Sequence, residues 1–476
     1  MKITHLGLSL LLALCAAPVI GCGGDDNNNN ANVPGENPGE NPGENPGEKP
    51  GDNPGEKPGE KPGDNPGEFT INLVKSAKAR AESKISDADL KTFIKGQYDL
   101  NYDILRKSGD GIAKKNAMIS IYSIQTALAM VYAGAAGDTA DEMKEILNYG
   151  DHAHEALNKL DTTIMALNRD AEDKPDWGLH VDPIEIKTSN NLYLSPIYTW
   201  SSAWLDELAT NYNTGITEMN FAADPNKARE YINGVVSDDT NERIQDLIPE
   251  DGINGDTKLV ITNAIYFKAP WIESLNKSDK PIDFIKADGS KVKADMLNDS
   301  GNLKYVKGAD YQAVVEPMRD DLFEIMFILP DEGKFDSVMS SMNGEKILGI
   351  FEALTNDKDI VLNFPMYQFT TELDVAQTLQ SMGMNKAFMG ADFSKMTEGP
   401  NGLFISMIRH KSFIAVDEKG IEAAAATAVA MEDGIPMPPE NPIILTLDHA
   451  FMFVIYETQT KTPLFVGHVM DPTEGK

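Results

Sequence analysis

The chain has 476 residues, a net charge of −32 at neutral pH and only two cysteines. Such a strong negative charge argues against nucleic acid and anionic lipid headgroups as partners, because both carry the same sign of charge. Cys15 and Cys22 both lie among the first 22 residues. The rest of the chain therefore has no disulfide, no cysteine nucleophile and no thiolate metal site.

Residues 1–21 have the composition of a secretory signal peptide. Lys2 supplies an early positive charge, and the apolar stretch 6–20 is too short to span a bilayer. The Val-Ile-Gly directly before Cys22 resembles the lipobox of bacterial lipoproteins, in which the cysteine thiol is acylated and becomes the new N-terminus. The resemblance implies a lipid anchor on Cys22. The alternative is an ordinary signal peptide with an incidental cysteine.

Residues 22–68 carry a four-residue Asn-Pro-Gly-Glu repeat from position 33 onward, with Lys and Asp variants. Pro-Gly at this spacing supports neither helix nor strand and buries nothing, so the pattern predicts a disordered tether rather than a docking ligand. As a flexible coil the tether would reach about 35–40 Å. The Gly-Asp-Asp after Cys22 resembles export tags of some surface lipoproteins. We expect a bacterial cell-envelope protein anchored at the outer membrane, with surface exposure left open.

Residues 69–476 have the pattern of one large α+β unit, without a linker-like stretch or an internal repeat. Apolar residues at helical spacing predict helices, one of them capped, at Leu90–Leu105, Ile124–Met130 and Thr139–Leu147. Short apolar runs rich in branched and aromatic residues predict buried strands at Leu259–Phe267, Phe323–Leu329 and Phe451–Tyr456.

The most informative stretch is Glu418-Lys-Gly-Ile-Glu-Ala-Ala-Ala-Ala-Thr-Ala428, a run of small residues behind a single glycine. Four alanines would suit an exposed helix or a linker. At the period of a strand, however, one side carries Ile421 followed only by Ala, Ala and Thr, and the other side carries Glu422. A strip with so little bulk can enter between two strands of a sheet. Gly420 would supply the backbone freedom for that movement.

This strip resembles the hinge of a serpin, a protease inhibitor that inserts its own cleaved loop into its sheet. Further segments resemble the family in its order and cover most of residues 90–472. They are Asn116–Met130, Gly134–Thr139, Thr240–Leu247, Leu259–Trp271, Leu329–Glu332, Gly383–Phe388, Ile408–Val416 and Phe465–Pro472.

The resemblance implies the α+β serpin fold: a large mixed central β-sheet with smaller sheets, about eight to nine helices and an exposed reactive loop. Four positions depart from the family's usual residue. Ile121 and Ala450 replace Pro, Ala269 replaces Gly and His468 replaces Arg. None of them lies in the hinge.

The resemblance also assigns site residues, none of them catalytic. Three polar residues fall where the family holds two sheet strands together, in the region called the shutter: Ser123, Asn263 and His410. The hinge itself would comprise Glu418, Gly420, Ile421, Glu422, Ala423, Ala424, Ala425, Ala426 and Thr427. Inhibitory members usually have a small residue where Ile421 stands, so its burial has to be accommodated.

The implied mechanism is suicide inhibition of a serine or cysteine protease, which attacks the loop and is trapped as an acyl-enzyme. In the family the cut usually lies sixteen residues after the hinge Glu, which predicts the bond Gly434–Ile435. Asp433, Met431 and Met437 remain alternatives for the residue before the bond. We expect a monomer that needs neither cofactor nor metal.

Two other functions compete with protease inhibition. One is a non-inhibitory serpin that acts as a cell-envelope binding protein, although an insertable strip argues against it. The other is a hydrolase, but the chain lacks Gly-x-Ser-x-Gly and His-Glu-x-x-His. His152, His154 and Glu155 could suggest a metal, yet the sequence implies no further ligand.

Overall fold

A computed structural model describes residues 67–174, 179–399, 402–422 and 441–475. The predicted signal peptide, the lipidation residue Cys22 and nearly all of the predicted tether lie outside this part. So do residues 423–440, which contain Ala423–Thr427 and every candidate for the reactive bond, Met431, Asp433, Gly434, Ile435 and Met437 among them. No helix within the described part is long and apolar enough to cross a membrane.

Ten α-helices lie in the described ranges, one more than the upper expectation, and the second is a single turn. They are α1 Asp87–Lys107, α2 Asp110–Ala113, α3 Ile121–Tyr132, α4 Gly137–Ile146, α5 Ala153–Met165, α6 Ser202–Tyr212, α7 Pro225–Asp239, α8 Phe335–Ser341, α9 Gly344–Ala353 and α10 Val375–Ser381.

The described strands are β1 Ile71–Val74, β2 Ala117–Ile119, β3 Glu172–Lys174, β4 Leu179–Val181, β5 Glu185–Leu194, β6 Thr199–Trp200, β7 Ile216–Met219, β8 Leu259–Pro270, β9 Asn276–Lys277, β10 Ile282–Ile285, β11 Lys291–Ala294, β12 Met296–Gly301, β13 Lys304–Lys307, β14 Tyr311–Pro317, β15 Phe323–Pro330, β16 Ile360–Pro365, β17 Tyr367–Asp374, β18 Thr397–Glu398, β19 Met407–Asp417, β20 Gly420–Ile421, β21 Ile443–Thr446, β22 Phe451–Glu457 and β23 Pro463–Val469.

Three larger sheets organise these strands. The central sheet has the order β1-β7-β5-β8-β20-β19-β17 and is mixed, because β5 pairs with β7 and β8 pairs with β19 in parallel. A six-stranded sheet has the order β13-β14-β15-β22-β23-β2, and a four-stranded sheet has the order β21-β16-β12-β9. Three two-stranded ribbons complete the described set: β10-β11, β18-β6 and β3-β4.

The predicted helices begin and end for identifiable reasons. Ser86 caps α1 by accepting a hydrogen bond from the Asp89 amide, and acidic residues occupy the first turn. The helix expected at Thr139–Leu147 is present as α4, but the expected cap is wrong: the helix begins two residues earlier, and Ala136 before it makes no side-chain capping hydrogen bond. The Thr139 hydroxyl instead accepts a hydrogen bond from the Asp392 amide.

Strand β8 lies at the centre of the molecule, and all twelve of its residues are buried. Alternate residues face two different cores, as the period of a strand requires. Ile261 and Ile265 belong to the large core, whereas Val260 and Ala264 pack in a second core with Ile232 of α7. Because both faces are covered, β8 has the continuous apolar run that the sequence shows.

The strands β8 and β19 pair in parallel only over part of their length. Their ladder runs from the pair Val260–Met407 to the pair Ala264–Lys411. Further along, β20 lies between them and runs antiparallel to both. The central sheet therefore already holds the first two residues of the chain that follows Lys419.

Candidate functional site: the strand pair and the hinge

The three polar residues predicted to join the strands lie in mutual contact. Asn263 of β8 donates from Nδ2 to Ser123 Oγ on α3, at 2.6 Å, and its Oδ1 accepts from His410 Nδ1 of β19, at 2.5 Å. Asn263 and His410 face each other in the ladder between the two strands. Any strand that entered here would have to break the bond between them. That they regulate opening stays a prediction.

His410 is neutral in this setting. The Ser120 amide donates to its Nε2, at 3.3 Å, which assigns the proton to Nδ1 and makes that atom the donor to Asn263. Burial lowers the pKa of His410 to about 3 because a charged imidazole would lose its hydration there. The bond to Asn263 therefore persists throughout the neutral pH range.

A fourth member, Asn190 of β5, was missed by the sequence analysis. Its Oδ1 accepts hydrogen bonds from Ser123 Oγ, at 2.8 Å, and from Asn263 Nδ2, at 2.6 Å. The polar run Ser189-Asn190-Asn191 within an otherwise strand-like stretch was the available signal. The network thus links α3 with three neighbouring strands, and its polar groups satisfy one another away from water.

The hinge is fastened to the end of β8 by a tight turn. Asp417 Oδ1 accepts from the Lys419 amide, at 2.8 Å, and closes the turn between β19 and β20. Trp271 donates its backbone amide to the Lys419 carbonyl, at 2.9 Å, and its indole nitrogen to the Asp417 carbonyl, at 2.9 Å. The role of Trp271 could not be read from the sequence, because nothing local connects it with the hinge.

Gly420 has a second role besides the one expected of it. Its φ is +155°, and a Cβ at this position would lie 2.4 Å from the Ala269 carbonyl oxygen and 2.6 Å from the Pro270 Cα. Since real Cβ atoms do not approach backbone so closely, only glycine fits between the strands without a shift. Close packing against β8, and not only freedom of movement, therefore requires glycine here.

Ile421 is accommodated despite its bulk. It is 2% exposed, pairs with Ala269 of β8 and Val416 of β19, and belongs to the large core. Burying an isoleucine side chain contributes about 1.5–3 kcal/mol. This apolar burial holds the first residues of the strip in the sheet.

Glu422 was expected to face outward, and it does lie on the opposite face from Ile421. It is nevertheless buried, with a side chain only 5% exposed, because Arg243 covers it and pairs with its carboxylate. Burial raises the pKa of Glu422 to about 7, while the neighbouring Arg243 and Lys268 oppose this shift. Sequence reasoning missed Arg243, which lies far from the hinge along the chain.

The histidines that might have suggested a metal site do not converge. His152 Nδ1 contacts Glu155 Oε2 at 3.1 Å, whereas His154 Nδ1 bonds the Tyr212 hydroxyl at 2.5 Å and its ring stacks on Tyr132. Burial lowers the pKa of His154 to about 4. Among the described residues no three His, Cys, Asp or Glu side chains form a group that could hold a metal.

Two features therefore define the class of this protein. A buried polar network holds β8 to β19 in the central sheet. At one end of the same strand pair, the short strand β20 lies between them. The model of the serpin family, described as "Serpin (serine protease inhibitor)", matches residues 95–472. The chain belongs to the serpin family. Serpins bind target proteases and are typically inhibitors rather than enzymes. The family match and the similarity to a solved serpin structure confirm the fold class expected from the sequence.

Relatives and solved structures agree with this assignment. The chain is 34% identical to a serpin-like protein of Thermococcus kodakarensis over 76% of this chain and 82% of that protein. It is 31% identical to human serpin B3 over 82% of this chain and all of that protein. The native structure of the thermophilic serpin tengpin is similar, with a TM-score of 0.70 at 26% identity, covering 84% of this chain and 97% of tengpin. Human thyroxine-binding globulin complexed with thyroxine gives 0.69 at 25% identity, covering 81% of this chain and all of that one.

Proposed function

We propose that this serpin traps a serine or cysteine endopeptidase as a suicide substrate, by acyl-enzyme formation followed by insertion of the cleaved loop into the central sheet. The observation that carries the proposal is the position of β20 between two parallel strands. A strand that continues β20 would run antiparallel to both neighbours, which is a sterically ordinary mixed sheet.

The register of β20 indicates what each following residue would meet. Continued from the pair of Ile421 with Ala269 and Val416, every second residue of the strip would face the large core. Ala423 and Ala425 are small enough to enter beneath the covering elements. Thr427 would then lie level with Asn263 and His410, so that insertion would separate them.

The chemistry of trapping needs no catalytic group from the inhibitor. The protease nucleophile attacks the carbonyl of the residue before the scissile bond, and the amine of the following residue leaves. We propose Gly434–Ile435 as that bond, with Asp433, Met431 or Met437 as alternative residues before the cut. Insertion would then carry the acylated protease away before water hydrolyses the ester, or the thioester in the case of a cysteine protease.

The test is to incubate residues 69–476 with elastase-, chymotrypsin-, trypsin-, subtilisin- and Glu/Asp-specific proteases, followed by denaturing gels and intact-mass spectrometry. A covalent product at the summed mass, with a released fragment beginning at Ile435, is the expected result. Cleavage by every protease without a covalent product, and without a rise in melting temperature, would reject trapping.

The second candidate is a non-inhibitory serpin that acts as a cell-envelope binding protein. What favours it is the similarity to thyroxine-binding globulin, whose structure was determined with thyroxine. The melting temperature after cleavage distinguishes the inhibitory from the non-inhibitory function. A loop that cannot insert should leave the melting temperature unchanged.

We also propose that Cys22 carries lipid and anchors the protein in the bacterial cell envelope, at the outer membrane. The lipobox-like sequence and the Asn-Pro-Gly-Glu tether support this. Metabolic labelling with a fatty-acid analogue should label the wild type and not Cys22→Ala. Recovery of the wild type in the cytoplasmic fraction would contradict it.

A further inference from the structure

Glu422 is the last described residue of the strip and forms a bend directly after β20. Its amide donates to the Ala415 carbonyl, at 2.8 Å, which is the next position in the ladder with β19. Its φ of +53°, however, is left-handed, a conformation that costs a non-glycine residue about 1–2 kcal/mol. Surrounding contacts must therefore hold Glu422 in this turn.

Arg243 provides the most direct of these contacts. It follows α7, after Asn241 and Glu242, whose φ values of 50° and 62° turn the chain over the sheet. Its guanidinium lies 5.7 Å from the ring centre of Phe413 on β19 and pairs through Nε with Glu422 Oε1. The Arg243 side chain is 53% exposed, so it can change without opening the core.

The segment that carries Arg243 crosses the central sheet above the hinge. Asn241 bonds two β5 side chains, Glu185 at 3.2 Å and Lys187 at 2.7 Å. On the other side of the hinge, Lys411 of β19 donates to the Gln245 carbonyl at 3.0 Å. The chain on both sides of Arg243 is thereby tied to β5 and to β19.

Besides Arg243, the titratable groups around Glu422 come from two strands. β8 contributes Lys268 and Tyr266, and β5 contributes Glu185. Lys268 is engaged with Asp182 at 3.2 Å, which leaves Arg243 as the cation in contact with the carboxylate.

We propose that Arg243 is a positioning residue for loop insertion: its pair with Glu422 holds Gly420 and Ile421 between β8 and β19 before any cleavage, and without it the hinge leaves the sheet. The inference deepens the proposed function, since a hinge that is already in the sheet gives the cleaved loop its starting register. It concerns the intact protein, so it can be tested without a protease.

The pH dependence of this arrangement has a definite sign. Burial raises the pKa of Glu422 to about 7, whereas an expelled and hydrated Glu422 titrates near 4.5. The inserted hinge therefore takes up a proton that the expelled hinge does not. Insertion is favoured at low pH and weakens as the pH rises from about 5 to about 7.

The experiment is hydrogen–deuterium exchange on residues 69–476, read by mass spectrometry on peptides that cover Val416–Glu422 and Trp271, at pH 6 and pH 8 with correction for intrinsic rates. Arg243→Ala should exchange at least tenfold faster than the wild type at pH 8, and Arg243→Lys should lie between them. Lys227→Ala, which removes an exposed pair on α7, is the matched control and should behave as the wild type.

Glu422→Gln separates charge from packing. A neutral amide of the same shape needs no cation, so this variant should remain protected at both pH values. Adding Glu422→Gln to Arg243→Ala should restore protection, because the cost of an unpaired carboxylate is then removed. Unchanged exchange in Arg243→Ala, or no rescue by Glu422→Gln, would overturn the proposal. Failure to trap any protease would leave this result unaffected and would count against the proposed function alone.

Discussion

Asn263 and His410 form a 2.5 Å hydrogen bond between the two strands that any further strand of the central sheet would have to separate. The Ser120 amide bonds the opposite nitrogen of the same imidazole. The histidine thus ties β19 both to β8 and to Ser120, the residue that caps α3. Two buried polar groups would lose their partner if the imidazole were removed.

His410→Ala is therefore expected to lower the free energy of unfolding by about 1–3 kcal/mol, the usual cost of unsatisfied buried groups. It should also accelerate conversion to a loop-inserted form, seen as a heat-resistant fraction that grows faster than in the wild type. Urea denaturation and native gels measure both effects. His152→Ala, at the surface, is the control. A variant as stable as the wild type would show that the bond contributes nothing.

Three buried histidines predict a loss of stability in mild acid. Burial lowers the pKa of His154 and His468 to about 4 and that of His410 to about 3. The unfolded chain takes up protons below about pH 6.5 while the folded chain does not, so stability is present above that pH and is lost as the pH falls.

His154→Gln removes one of these groups. Between pH 7 and pH 5 its stability should fall by about 2 kcal/mol less than that of the wild type, since one histidine contributes about 1.4 kcal/mol per pH unit below its unfolded pKa. Urea denaturation at the two pH values is the measurement. An equal fall in both proteins would mean that His154 is protonated in the folded state.

The sequence could predict elements whose pattern is set by their own residues. β8, β15 and β22 are buried on every side, and a continuous apolar run indicates this directly. β1 was not predicted, because its four residues form a strand only at the edge of the sheet, where they pair with β7. Asn190 and Arg243 were missed for a related reason: each meets its partner only through the fold, and the family-like segment Thr240–Leu247 does not itself indicate that Arg243 reaches the hinge.

Gly420→Ala tests the close approach of the hinge to β8. The added Cβ would lie 2.4 Å from the Ala269 carbonyl oxygen, so we expect the hinge to be displaced and exchange at the Trp271 and Glu422 amides to rise at least tenfold. Gly234→Ala on α7 is the matched control, because nothing lies within 4 Å of its Cβ. Gly234→Ala should raise the free energy of unfolding by up to about 1 kcal/mol, because alanine favours the helix. Equal exchange in Gly420→Ala and the wild type would show that the strands can move apart.

Ile421→Arg tests insertion itself. A charge at this 2% exposed position would have to be buried between β8 and β19, at a cost of several kcal/mol. On the proposed mechanism the variant should be cleaved by the same protease as the wild type, with the covalent product reduced at least tenfold. Ile197→Arg is the control, since Ile197 is 67% exposed. Undiminished covalent product from Ile421→Arg would contradict trapping by insertion at this position.

Arg80 holds the segment between β1 and α1 against two helices. Its guanidinium donates to Asn158 Oδ1 at 2.6 Å and to Asp161 Oδ2 at 2.5 Å on α5, and to the Asn211 carbonyl at 3.1 Å on α6. The pair with Asp161 is largely buried. Arg80→Ala removes the donor from this carboxylate and from two further acceptors, so we expect the free energy of unfolding to fall by about 2–3 kcal/mol.

Lys91→Ala breaks an exposed ion pair with Glu352 and should lower the free energy of unfolding by less than about 1 kcal/mol. It is therefore the control for Arg80→Ala. In the wild type the next residue, Ala81, donates its amide to the Thr210 carbonyl at 2.8 Å. Without Arg80 this backbone contact should open more often, so the segment should become a site of limited proteolysis. If Arg80→Ala is as stable and as resistant to proteolysis as Lys91→Ala, the remaining contacts of β1 with β7 suffice to hold the segment.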